Sequence, residues 1–264
     1  MIVFPNCKIN LGLHIIRKRA DGFHDLETVF YPLQLTDALE VLSPGTLQFT
    51  ASGIPIPGAA GENLCLKAWH LLKKDFPSIA EVDIHLHKHI PIGAGLGGGS
   101  ADAAFMLMHL NQRFQLELTT EKLVEYAAML GSDCPFFVVN KPCYATGRGE
   151  VMEPIQLDLK NYTINLVYPN IHVNTGWAFK QLTPKEPEVS LKEVIKQPPE
   201  EWKALMKNDF ETPIFEAHPE LATIKENMYN QGALYATMSG SGSAMVGIFP
   251  KGITFKTDYT SFMI

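Results

Sequence analysis

The sequence predicts an α+β protein built in two parts, and three observations predict it. Segments that alternate polar and apolar residues are interspersed with segments of helical periodicity. Near 154–160, Pro154 and the polar stretch Asp158-Leu159-Lys160-Asn161 separate two halves, each with strands and helices of its own. A glycine-rich run at 93–99 joins an alternating strand to an apolar helix. The expected division is 1–154 and 155–264.

Residues 2–16, rich in Ile, Val, Leu and Phe, read as a strand or the start of a hairpin, followed by strands at 26–34, 37–42 and 46–51. Leu64, Ala68, Leu71 and Leu72 share one side of a helix over 63–75. Val82, Ile84, Leu86 and Ile90 alternate with Asp83, His85, His87 and His89, the pattern of a half-buried strand. The three histidines share a spacing that metals can use, but no acidic or cysteine partner accompanies them, so a solvated face is expected. Helices follow at 101–111 and 121–130, the second with Gly131 expected at a left-handed C-terminal position. In the second half, strands are expected at 162–168, 234–238 and 244–249, short helices and loops over 176–206, and a helix at 219–231.

The 264 residues are 46% apolar and 19% charged, enough to fill a core. Acidic residues outnumber basic ones, 28 to 22, and the net charge of −6 disfavours nucleic acid as a partner. A phosphorylated small molecule stays open, because its site needs only local positive potential. No apolar run reaches the roughly 18 residues of a membrane span, so no membrane partner is expected. The opening Met-Ile-Val-Phe-Pro-Asn-Cys-Lys lacks the charged and apolar regions of a signal peptide. Cys7, Cys65, Cys134 and Cys143 show no C-x-x-C spacing, so a reduced, cytoplasmic chain without structural zinc is expected.

Pro91-Ile92-Gly93-Ala94-Gly95-Leu96-Gly97-Gly98-Gly99-Ser100-Ala101 carries the strongest signal. Glycines at this density cost conformational entropy, so the backbone must do something that side chains would obstruct. The run leads into a helix, whose first N–H groups and positive dipole end attract anions. It is either a flexible turn or a phosphate cradle, and the helix entry favours the cradle. A Walker loop is excluded, since neither Gly-Lys-Ser nor Gly-Lys-Thr occurs. Gly93-x-Gly95-x-x-Gly98, with Glu117 further on, satisfies the dinucleotide pattern of a nicotinamide enzyme. Two features oppose that: the preceding strand alternates instead of being continuously apolar, and several strands precede the loop.

Asn6, Lys8 and Asn10 alternate with Cys7, Ile9 and Leu11, which sets a polar trio on one strand face and an apolar trio in the core. Lys8 by itself reads as a solvated or a catalytic lysine. Asp133, just before Pro135, reads as a helix cap or a functional acid. Phe23-His24 in a loop reads as partial packing or a binding pair.

The loop Pro-x-x-x-Gly-Leu-Gly-Gly-Gly-Ser-Ala resembles the phosphate-loop signature of the GHMP kinases, which include galactose, homoserine and mevalonate kinases. Met238-Ser239-Gly240-Ser241-Gly242-Ser243-Ala244 is similar to that family's third motif. Pro5-Asn6-Cys7-Lys8-Ile9-Asn10-Leu11, Arg19-Ala20-Asp21-Gly22-Phe23-His24 and Asn208-Asp209-Phe210-Glu211 resemble one branch of it, acting on a cytidine diphosphate derivative of methylerythritol.

The resemblance implies the GHMP kinase fold, with an N-terminal part like domain 2 of ribosomal protein S5 and a ferredoxin-like C-terminal part. It implies ATP as phosphoryl donor, Mg2+ as its companion, and phosphorylation of the substrate's 2-hydroxyl in non-mevalonate isoprenoid precursor synthesis. Residues 91–101 and Asn63 would bind ATP, with Ser100 a candidate Mg2+ contact and no protein cage around the metal. Asp133 would accept the hydroxyl proton, and Lys8 would hold Asp133 ionised and lower the hydroxyl pKa. Asn10, Phe23, His24, Thr175 and Phe179 would bind the cytidylated substrate, with Trp177 competing with Phe179 for the second stacking position. The branch often has Tyr where this chain has Phe23.

Overall fold

The structure is a computed structural model that describes residues 1–43 and 45–264. In chain order come β1 (Ile2–Val3), β2 (Asn6–Lys18), β3 (His24–Thr36), β4 (Ala38–Leu42) and β5 (Gln48–Gly53). Then follow α1 (Leu64–Asp75), β6 (Asp83–Lys88), α2 (Gly98–Arg113), α3 (Thr120–Leu130), α4 (Cys134–Val139), β7 (Cys143–Thr146) and β8 (Val151–Pro154). The rest is β9 (Tyr162–Tyr168), α5 (Thr175–Gln181), α6 (Leu191–Val194), α7 (Pro199–Leu205), α8 (Glu211–Ala217), α9 (Pro219–Asn230), β10 (Tyr235–Met238), β11 (Met245–Pro250) and β12 (Thr260–Met263). The chain is α+β, as its pattern predicts. It packs as two compact units, neither of them one continuous segment.

The first unit comprises Met1–Cys7, Gln34–Ile92 and Gly97–Lys141. Its sheet has the order β1-β4-β6-β5, with β5 and β6 parallel and the other pairs antiparallel. The β4–β6 register sets Leu39 opposite Leu86 and Val41 opposite Ile84, all buried in a core with Trp69, Leu72, Met106 and Leu110 from the helices. The opposite face carries His85 and His87, which pair with Thr50 and Ser52 of β5. Asn63 caps α1 by accepting the Cys65 N–H at 2.8 Å, and Thr119 caps α3 through the Lys122 N–H. Gly131 ends α3 with φ 170°, extended rather than left-handed, so any residue fits its backbone and the expected left-handed turn is absent.

The second unit comprises Lys8–Leu33, Gly93–Leu96 and Pro142–Ile264. One antiparallel sheet has the order β10-β11-β9-β12 and packs Met238, Met245, Phe249 and Val167 with Ile224 and Met228 of α9. The other sheet has the order β2-β3-β7-β8, where Thr28 faces Ala145 and Phe30 faces Cys143. All four cysteines are buried, and none is in a disulfide. Among the described residues no helix is long and apolar enough to cross a membrane.

β2 departs from the half-buried strand its alternation suggests. Asn6, Lys8 and Asn10 are as buried as Cys7, Ile9 and Leu11. Alternation reports that two faces differ in chemistry, and it is silent on whether the polar face meets water or protein. Buried polar groups must then find partners, and those partners shape the site.

Candidate active site

In the second unit the Lys8 ammonium donates to Asn10 Oδ1 at 2.6 Å and lies 4.8 Å from the centroid of the Phe30 ring. Asn10 Nδ2 donates to Thr28 Oγ1 at 2.9 Å, and the Thr28 hydroxyl donates to the Gly12 carbonyl at 2.6 Å. Lys8, Asn10 and Thr28 thus form one buried chain that fixes the lysine in place. Thr28 had no signal of its own in the sequence, since a threonine in a strand is commonplace.

The first part of the glycine loop is tied to this chain. The Lys8 N–H donates to Leu96 O at 3.0 Å, and the Ala244 N–H donates to Ala94 O at 3.1 Å. Ser239 Oγ accepts the Asn10 N–H at 3.2 Å and donates to Gly95 O at 2.9 Å. Gly95 has φ +77°, and a Cβ there would lie 2.0 Å from Ser239 O, so only glycine fits. The 239–243 turn is held in its turn by Asn208, whose Nδ2 donates to Met238 O at 2.7 Å and Gly240 O at 2.8 Å. Glu211 Oε1 accepts the Met238 N–H at 2.8 Å, and the other oxygen pairs with Lys225. The Asn208-Asp209-Phe210-Glu211 run therefore acts as a clamp on the serine–glycine turn.

His24 stacks on Phe179, with ring centroids 5.0 Å apart and planes 18° from parallel. Phe179 also meets Phe210 edge-on at 4.9 Å. Phe23 is exposed, and its ring carries the Arg148 guanidinium at 4.8 Å. Burial, with Lys18 nearby, lowers the His24 pKa, so its imidazole is neutral at pH 7 and offers one donor and one acceptor. Thr175 shares a hydrogen bond with Ser241 at 2.9 Å, while Trp177, two residues on, is exposed.

In the first unit, α2 starts at Gly98, three residues before the expected 101, so the last glycines of the loop are its first turn. Gly97 holds the N-cap position at φ +69°, and no side chain caps the helix. The first-turn N–H groups have no intrahelical acceptor by geometry, so that turn presents unpaired main-chain donors of the kind anions take. The Ser100 hydroxyl is hydrogen-bonded to Cys134, whose thiol burial pushes up to about 11. Asp133 precedes α4 at φ −85°, and its side chain makes no capping bond to that helix. The Asn63 side chain is committed to the α1 cap.

Two family models match: the GHMP kinases N terminal domain over residues 63–141 and the GHMP kinases C terminal domain over 190–254. A 4-diphosphocytidyl-2-C-methyl-D-erythritol kinase from Bacteroides fragilis is 52% identical over 264 residues, covering 98% of this chain and 96% of that protein. One of the same name from Azobacteroides pseudotrichonymphae is 51% identical, covering 95% and 94%. A crystal structure of 4-(cytidine 5'-diphospho)-2C-methyl-D-erythritol kinase superposes with a TM-score of 0.81 at 33% identity, covering 94% of this chain and 90% of that one. Methanococcus jannaschii mevalonate kinase, at 16% identity and a TM-score of 0.72, shares the fold. With half its residues shared over nearly its whole length, the chain belongs to the 4-diphosphocytidyl-2-C-methyl-D-erythritol kinase family of the GHMP kinases.

Proposed function

We propose that this protein uses ATP to phosphorylate the 2-hydroxyl of 4-diphosphocytidyl-2-C-methyl-D-erythritol, in the cytoplasm. The carrying observation is the glycine loop ending in an uncapped first turn of α2, the main-chain anion site that a triphosphate requires. Residues 91–101 grip the phosphates, with Asn63 beside the adenine. Asp133 takes the hydroxyl proton, a carboxylate being a base suited to that step. Lys8 supplies positive charge where the alkoxide develops, held in one rotamer by Asn10. Phosphoryl transfer is mostly positioning and charge stabilisation, and a buried, fixed ammonium serves both.

His24, Phe23 and Phe179 bind the cytosine, the two phenyl rings on its faces and His24 at its edge, and the base takes the face of Phe179 that the His24 ring covers here. Asn10 and Thr175 contact the rest of the substrate. Mg2+ binds phosphate and water oxygens with few protein ligands. Among the described residues no group of three or more His, Cys, Asp or Glu is placed to hold a metal, whereas the Ser100 hydroxyl lies in the first turn of α2. That donor fits a phosphate-bound Mg2+, which neutralises charge on the transferred group when bound. The division at 154/155 falls between the matched regions 63–141 and 190–254, while the compact units do not follow it, the second taking in Lys8–Leu33 and Gly93–Leu96 as well.

A coupled ADP-release assay tests the function. Turnover is expected with the cytidylated substrate and not with mevalonate or homoserine. ADP release only with mevalonate or homoserine overturns the substrate, and NAD(H) bound with ATP ignored overturns the reaction class.

A further inference from the structure

The strand that feeds the glycine loop hides a lysine on its apolar face. Val82, Ile84, Leu86 and Ile90 are buried as their alternation requires, and Lys88 stands in the same register and is equally buried. A buried ammonium needs compensating charge. Lys88 Nζ pairs with Asp37 and donates to Asp102 Oδ2 at 2.7 Å, and all three side chains are almost fully buried. Asp37 Oδ1 also accepts the His89 N–H at 2.6 Å and the Ile90 N–H at 2.8 Å. Asp102 lies in the opening turns of α2, and a Cβ on Gly98 would come within 3.0 Å of Lys88 Nζ.

These contacts bear on the loop at both ends. Asp37 holds the residues where the chain leaves β6, and Asp102 holds the helix into which the chain runs. Lys88 joins the two. We propose that Lys88, with Asp37 and Asp102, is a positioning residue for ATP binding: an ion-paired clasp that closes the base of the glycine loop and presets its main-chain N–H groups for the triphosphate. The inference rests on the ATP-binding role given to residues 91–101.

The physical reason is entropy. A run this rich in glycine has many conformations when its ends are loose, and each must be given up when the anion binds. Fixing both ends removes part of that loss beforehand, which strengthens binding without a new contact to the ligand. Apolar residues of like volume at all three positions would fill the same space, so the ion pairs are not needed to complete the core. One carboxylate oxygen, Asp102 Oδ1, has no hydrogen-bond partner, so the cluster is not the arrangement that stability alone would choose.

The test uses the whole protein with Lys88→Met, which keeps the stem and removes the charge, and Asp102→Asn, which is isosteric and preserves an acceptor for Lys88. Three quantities are read: the dissociation constant of a non-hydrolysable ATP analogue, the KM of the cytidylated substrate, and amide hydrogen exchange along the chain. Lys88→Met is expected to weaken analogue binding about tenfold or more, with the cytidylated substrate's KM within about twofold of wild type. Exchange should quicken over 89–99 and stay unchanged in β9. Asp102→Asn should move the same quantities in the same direction by about three- to fivefold, and it carries the test if Lys88→Met does not fold. Wild-type analogue affinity in either variant, once folded, overturns the clasp, as does equal weakening towards both ligands. A wild-type protein that binds the cytidylated substrate but not the ATP analogue overturns instead the ATP-binding role of the loop.

Discussion

Lys8 and Asn10 are joined by a 2.6 Å hydrogen bond between side chains two residues apart on one buried strand face. The bond orients the ammonium, and it occupies the Asn10 carbonyl oxygen that would otherwise be offered to a ligand. Asn10 Nδ2 is likewise engaged, by Thr28. Asn10 therefore holds the Lys8 ammonium in place, beside the substrate contact proposed for it.

Lys8→Met and Asp133→Asn should each remove most turnover while the protein stays folded, because the first keeps the side-chain volume and the second is isosteric. Loss of a charged group that acts only as the barrier is crossed lowers kcat about 100-fold or more. Steady-state kinetics beside a circular dichroism spectrum checks this, and near-wild-type turnover in either variant removes that residue from the reacting group.

Gly95 and Gly99 should separate folding from binding. Alanine at Gly95 meets Ser239 O and a left-handed backbone together. The strain alone costs about 1–3 kcal/mol, so thermal stability should fall. At Gly99 the nearest atom to a new Cβ is Leu64 Cδ1 at 3.9 Å, an ordinary contact. Gly99→Ala should therefore melt like wild type yet bind ATP more weakly, since it adds a methyl within the proposed phosphate turn. Unchanged ATP affinity in Gly99→Ala would place the phosphates elsewhere.

His24→Ala should raise the KM for the cytidylated substrate about ten- to a hundredfold, the worth of one base-stacking or edge contact. The ATP KM should not move. Phe179→Leu should behave similarly with some loss of stability, because that ring also packs on Phe210. Wild-type KM in both variants would remove the His24–Phe179 stack from the cytosine site.

His109 gives the fold a pH dependence. Burial, with the N-terminal amine and Arg113 nearby, lowers its pKa below 6.5, and neither ring nitrogen has a hydrogen-bond partner. The folded state thus prefers the neutral ring, and the unfolded state takes up a proton first as pH falls. Its contribution is full above the unfolded pKa of about 6.5 and is lost as pH drops through the lower folded value. Urea unfolding between pH 7.5 and 5 should show a shallower fall for His109→Gln than for wild type, and parallel curves would exclude this residue as the source.

The alternation of β6, the helices at α1, α3 and α9, and the glycine run at the mouth of α2 are legible in the residues alone, because period and composition are local properties. It also carried the family motifs. What the polar residues do depends on packing. The alternation of β2 marked Lys8 and Asn10 as facing away from Cys7 and Ile9, but burial of that face, which forces Lys8 onto Asn10, depends on chain remote in sequence. β7, β8, α8 and β12 lack a clear period and form where neighbouring chain accepts their hydrogen bonds or apolar side chains. Lys88 shows the division most sharply. Its register was readable as apolar, and its charge contradicted that register. The contradiction is resolved by Asp37 and Asp102, one 51 residues before it and the other 14 after, which only folding brings to the same point.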